Sequence, residues 1–197
     1  MSIDQFQRQY AAHGREKGDG YTPADFAEMT DREREKARDM MLARALAGNT
    51  VDLMGLRHVG DAGLVAALRQ AASRVASFDW RWDVIRHEVL FDLTQDKAYL
   101  FDLATYLDGR DGRAQEGAAN ALAWRVLPRD AEPFLVDRMC DGRHEGALLG
   151  LMQAWLGLRA AAVCDPMCFQ RHLPLIRAVT SAAPTRRRQL LAAELTV

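Results

Sequence analysis

Apolar residues recur along this chain at intervals of three and four, and no stretch alternates apolar with polar as a half-buried strand would, so the pattern predicts an all-α protein. In TDREREKARDMMLARALAG, Ala37, Met40, Met41, Leu42, Ala45 and Leu46 make an apolar stripe. Asp31 with Arg34 and Glu35 with Arg38 form charged pairs on its solvent side. Thr30 followed by Glu33 is a capping-box pattern that starts this helix. Thr22 before Pro23 starts a shorter one, since proline at the first helical position gives up an N–H that has no partner there. Asp165 before Pro166 carries the same signal, and Pro184 marks the turn before a last helix.

The central part of the chain repeats. DKAYLFDLATYLDGR and RDAEPFLVDRMCDGR align without a gap, their terminal arginines, Arg110 and Arg143, lying 33 residues apart. At that offset Leu103 falls on Val136, Leu107 on Cys140, Gly117 on Gly150, Ala121 on Ala154 and Trp124 on Gly157. The pairs predicted are 61–72 with 82–93, 96–107 with 113–126, and 130–140 with 143–160, preceded by an incomplete pair, 31–47 with 50–58. Helices at 166–180 and 185–195 cap the end. A helix pair of this size cannot bury its apolar face alone, so adjoining pairs must share a core, which favours a short alpha solenoid of stacked antiparallel pairs. A compact irregular helical bundle is the competing architecture. Residues 1–20, with HGREKGDG at their end, read as a partly flexible lead-in, and 21–197 as one helical domain.

The segment from Leu53 to Ala161 resembles HEAT-like repeat proteins. The likeness is carried by GDAGLVAALRQAA, by the DGR turns at 108 and 141, by Asp61, Asp96 and Asp130 before successive pairs, and by Ala118, Ala119, Ala121 and Ala154 on second helices. The repeats are few, their lengths vary, and 166–195 does not repeat cleanly. A narrower resemblance lies in YTPADFAEMTDREREKARDMMLARALAG followed directly by such pairs, which is similar to bacterial immunity proteins that partner polymorphic toxins. This resemblance implies a cytoplasmic, stoichiometric inhibitor of a cognate protein toxin, monomeric alone and heterodimeric with its partner. It carries over no site residue.

Composition narrows the alternatives. The chain is 49% hydrophobic and 27% charged, in the range of a folded domain. Its net charge of −1 gives no global electrostatic case for nucleic acid or an anionic membrane. The charged N-terminus lacks a secretory apolar core, and Gln153 and Arg159 interrupt the most apolar segment, so neither export nor membrane insertion is expected. Three cysteines without framework spacing suit the cytoplasm.

In a solenoid the second helices commonly line the concave side. That expectation nominates Arg86, Glu88, Asp92, Gln115, Glu116, Asn120, Arg143, His144 and Glu145 for partner binding, a mixed-charge set suited to a folded protein surface. Trp80 and Trp82, alternating in what reads as an extended connector, FDWRWD, are added as aromatic anchors. Trp124 and Trp155 fall within apolar patterns and are assigned to the core, and Tyr99 and Tyr106 to packing.

Catalytic and cofactor motifs are not found. There is no phosphate-binding or dinucleotide loop, and His87-Glu88 is followed by Phe91 where a zinc hydrolase needs histidine. His58 with Asp61 and His144 with Glu145 are ordinary turn neighbours. Cys164, Cys168 and His172 share four-residue spacing but lack an obvious fourth zinc ligand, and Asp165-Pro166 starts a helix between the first two. The expectation is therefore a non-enzyme without cofactor or metal. The alternatives to toxin inhibition are a HEAT-like scaffold and a nucleic-acid-binding module, the latter using Arg171, Arg177 and the triplet Arg186-Arg187-Arg188 against phosphates.

Overall fold

The computed structural model describes residues 3–12, 20–74 and 80–194, and every regular element among them is helical. These residues form thirteen α-helices and three short 3-10 turns, a multi-helix, repeat-like all-α fold. The helices gather into two compact units, Met1–Leu100 and Phe101–Val197.

The first unit contains α1 (Ile3–Ala11), α2 (Pro23–Phe26), α3 (Asp31–Ala45), α4 (Thr50–Gly55), α5 (Ala62–Arg74) and α6 (Trp80–Thr94). The start of α7 (Ala98–Leu107) also belongs to it. The capping box forms at α3, where the Thr30 hydroxyl accepts the Glu33 amide at 3.3 Å and the Glu33 carboxylate accepts the Thr30 amide at 2.8 Å. Asp61 caps α5 by accepting the Leu64 amide at 2.9 Å. Helix α4 packs against both α3 and α6, with Met41, Ala45, Leu53 and Leu56 fully buried. Gly55 makes this approach possible: a Cβ there would strike the Tyr21 ring and lie 2.8 Å from Met41 Sδ. Tyr21 in turn donates from its hydroxyl to the buried Asp52 carboxylate at 2.7 Å.

Within the lead-in, Phe6 on α1 is completely buried. Its ring lies 5.8, 5.6 and 6.0 Å from those of Tyr10, Tyr21 and Phe26. The Tyr10 hydroxyl donates to Met40 O at 3.0 Å, and the Arg44 guanidinium sits 3.6 Å above the Tyr10 ring. Residues 13–19, most of the glycine-rich connector, lie outside the described residues.

Helix α6 corrects the expected placement of two tryptophans. It begins at Trp80, so Trp80 and Trp82 are helical rather than extended. Residues two apart on a helix point about 200° from one another, so the two rings cannot share one side. Trp82 turns inward, is 2% exposed, and donates its indole N–H to Ala45 O at 2.7 Å.

The second unit holds the rest of α7, then α8 (Gly112–Ala123), α9 (Glu132–Cys140), α10 (Leu148–Ala160), α11 (Pro166–Arg171), α12 (Leu173–Ser181) and α13 (Pro184–Glu194). Helices α8 and α10, the second helices of the repeat, meet along small residues. A Cβ on Gly150 would lie 3.0 Å from the Ala119 carbonyl carbon and Cβ, and 2.8 Å from Asn120 Oδ1. Ala118, Ala119, Ala121 and Ala154 are buried with it. The two DGR turns diverge in backbone: Gly142 is left-handed at φ 75°, whereas Gly109 is not. Asp111, one residue past the first DGR, caps α8 through the Arg113 amide at 2.9 Å. The second helix of the next pair starts later than expected, because a 3-10 turn at Glu145–Ala147 precedes α10.

The expected helix 166–180 is broken in two. Asp165 caps α11 through the Cys168 amide at 2.7 Å, as the Asp-Pro signal predicts. Pro174 then cannot continue that helix, since its ring excludes the carbonyl four residues back, and α12 restarts at Leu173. Of the two tryptophans assigned to the core, Trp155 is completely buried but Trp124 is 57% exposed. Trp124 is the C-cap of α8, where the backbone leaves helical geometry and the ring no longer follows the buried stripe.

Candidate protein-binding surface

The residues nominated from sequence separate by the work they do inside each unit. On α6, Trp82 belongs to the core, and Arg86 is 7% exposed, donating to Asp83 at 2.7 Å and to His87 Nε2 at 2.9 Å. Both are removed from the candidate surface, because their polar atoms are satisfied internally. Asp92 is half-buried and pairs with Arg57 at 3.3 Å, while Glu88 is half-buried and is not free of interactions. Trp80 is half-buried beside the Arg81 guanidinium, 5.4 Å from its ring. Tyr99 is buried, as its packing assignment requires, and its hydroxyl accepts from Arg69 Nε at 2.6 Å.

In the second unit, Gln115 is buried and donates to Leu107 O at 3.2 Å and Gly109 O at 2.8 Å, tying α8 to the end of α7. His144 is 2% exposed and its Nε2 lies 3.1 Å from the Asp141 carboxylate. These two also leave the candidate surface. Arg143 is exposed but pairs with Asp141 at 2.8 Å. Burial alone would raise the Asp141 carboxyl, but the Arg143 amide and guanidinium and the nearby His144 bring it below the usual range.

Glu145 is the exposed end of a buried clasp. Arg187, 3% exposed on α13, donates to its two carboxylate oxygens at 2.8 and 2.7 Å. The same guanidinium donates to Met139 O at 2.9 Å, Ala182 O at 3.0 Å and Val179 O at 3.2 Å. Those charge-assisted bonds hold the Glu145 carboxyl below the usual glutamate range. The basic triplet is thereby divided: Arg187 is internal, while Arg186 and Arg188 are exposed, Arg188 pairing with Asp137 at 2.5 Å.

What remains is α8. Glu116 and Asn120 are exposed, and no hydrogen bond or ion pair to any described residue engages either one. They are four residues apart on α8, and Trp124 follows at its C-cap, so the three make an exposed stripe toward the C-terminal end of the helix, with Asn120 Oδ1 beside Gly150 of the seam. The neighbouring Val126 is 54% exposed. Such a stripe offers uncommitted polar groups and a rigid aromatic, the chemistry of an interface centre. Trp124 escaped the sequence reading because its flanking apolar residues resemble a core pattern; its spacing from Glu116 and Asn120 was the available signal.

Among the described residues, no group of three or more His, Cys, Asp or Glu is placed to hold a metal ion. No described helix is long and apolar enough to cross a membrane. Comparison with protein-family models, curated proteins and solved structures finds no match for the chain.

Proposed function

We propose that this chain is a protein-binding module that captures a cognate toxin domain in a one-to-one complex and thereby neutralises it in the cytoplasm. The observation that carries the binding part is the outer stripe of α8, where Glu116 and Asn120 are exposed without internal partners and Trp124 stands 57% exposed. An exposed tryptophan beside unpaired polar groups supports recognition of a folded surface, with the ring as anchor and the polar groups setting register. The resemblance of residues 21–48, followed by helix pairs, to toxin immunity proteins supplies the partner class. The burial of Arg187, the middle of the basic triplet, in its clasp with Glu145 weighs against a phosphate-binding groove there.

The test is capture by the tagged chain of the product of the adjacent gene, with stoichiometry read by native mass. A one-to-one complex that suppresses the captured domain's activity is the expected result, and Glu116→Lys with Trp124→Ala should weaken it by at least about 100-fold, as loss of a hot spot does. Capture of a host protein without suppression would favour a scaffold. Unchanged affinity in the folded double variant would remove α8 from the interface.

A further inference from the structure

Two of the three cysteines come together at the α10–α11 junction. Cys164 immediately precedes the N-cap Asp165, and Cys168 is the third residue of α11, its amide held by the Asp165 carboxylate at 2.7 Å. That cap folds the residue before it back over the first helical turn. Both side chains are consequently interior, Cys164 at 0% and Cys168 at 6% exposure, flanking one helix cap at the end of α10. Cys164 is pressed onto the end of α10, where a Cβ on Gly157 would lie 3.1 Å from its amide nitrogen and 3.7 Å from its Cβ. Burial first, and the adjoining Cys168 thiol second, push the Cys164 thiol up, so it is not the group that reacts first.

Cys168 differs from Cys164 in having an approach. It lines a pocket of about 300 Å³ together with Trp155, Arg159, Arg171, His172 and Glu194. Arg159 and Arg171 are exposed, and His172 Nδ1 lies 2.9 Å from Cys168 O and 4.0 Å from its Sγ. Arg159 is shared with Glu132 at 3.5 Å, while Arg171 has no ion-pair partner among the described residues. The pocket therefore sets the Cys168 side chain among Arg159, shared with Glu132, the unshared Arg171 and the Glu194 carboxylate, with Cys164 on the other side of the Asp165 cap. Cys140, on α9, does not line it.

We propose that Cys164 and Cys168 are a redox-active dithiol, with Cys168 the entry thiol for a small anionic disulfide drawn in by Arg159 and Arg171, and Cys164 the resolving thiol. The Cys168 thiolate attacks one sulfur of the incoming disulfide, whose S–S bond breaks and releases one thiolate. Cys164 then attacks Cys168 Sγ, expelling the second half of the reagent, which takes up the proton that Cys164 gives. Two protein thiols lose two electrons and two protons in all, and the disulfide becomes two thiols.

The experiment treats the full chain, natively folded, with glutathione disulfide, then blocks remaining thiols with maleimide and maps the peptides without reduction. Titratable thiols should fall from three to one, the survivor being Cys140, with the chain lighter by two hydrogens and restored by dithiothreitol. Cys164→Ser should instead stop at a mixed disulfide on Cys168. Arg171→Ala should slow the reaction roughly tenfold with glutathione disulfide, by loss of electrostatic attraction, and leave an uncharged dialkyl disulfide unaffected. Three thiols surviving native treatment, a cross-link through Cys140, or a stable mixed disulfide in the unaltered chain would each overturn the proposal. An Arg171→Ala variant equally fast with both reagents would overturn the anionic entry step.

Discussion

Replacing Arg187 with methionine removes five hydrogen bonds at once, three of them to backbone carbonyls at Met139, Val179 and Ala182. Methionine fills much of the same channel, so the loss is chiefly of donors. Met139 and Val179 are themselves completely buried, and water cannot readily replace the guanidinium there. Breaking a buried, multiply bonded charge of this kind costs about 3–5 kcal/mol. Glu145→Gln tests the other end. The Glu145 side chain is 53% exposed, so its attraction to Arg187 is screened by solvent, and Arg187 keeps its carbonyl partners when the charge is gone. The expected loss is then about 1 kcal/mol or less. Urea denaturation followed by circular dichroism separates the two: at a slope of about 2 kcal/mol per molar, Arg187→Met lowers the midpoint of the second unit by roughly 2 M and Glu145→Gln by less than about 0.5 M. Equal losses would mean that the clasp is an ion pair rather than a carbonyl anchor, and the reasoning would fail.

The same clasp sets a pH dependence. Because Arg187 depresses the Glu145 carboxyl in the folded state, its stabilisation is present above the ordinary glutamate range and disappears as pH falls through the lowered folded value; the difference between the unaltered chain and Glu145→Gln, measured by urea titration, should therefore close on acidification. Gly150→Val should destabilise by about 2–3 kcal/mol, since its branches enter space already 3.0 Å from Ala119, whereas Gly146→Ala, with no atom within 4 Å, should be neutral within about 0.5 kcal/mol; thermal melts distinguish them. Trp82→Phe should cost about 1–3 kcal/mol by losing the buried indole donor and part of the volume it fills, Ala45 O keeping the Gly48 amide at 2.9 Å, and Trp124→Ala at the exposed site less than about 1 kcal/mol, a contrast that a buried Trp124 would reverse.

Legibility from sequence followed how local the determining interaction was. Thr30 with Glu33, and Asp165 with Pro166, act within one turn, and their caps form where the sequence places them. Pro174 is equally local, yet the apolar period running through it masked the break that its missing N–H imposes. Burial of polar residues was not legible. Gln115 satisfies carbonyls at 107 and 109, and Arg187 reaches back to Met139 and Glu145, contacts that no short spacing encodes. Of the nominated residues on α8, Glu116 and Asn120 are exposed, as their polar positions on a second helix lead one to expect. Trp124 was missed, and Trp82 misplaced, because an aromatic ring in an apolar stretch reads alike whether it closes a core or caps a helix.

The seam of small residues between α8 and α10 has a consequence for how the outer stripe can change. Gly150 is held to glycine by the nearness of Ala119, and Ala118, Ala119 and Ala121 are buried, which leaves little room for variation on the inner side. Positions 116 and 124 are exposed and open to replacement, whereas a side chain at 120 must still clear Gly150. The side chains at these two exposed positions can therefore change while the close packing at Gly150 stays put.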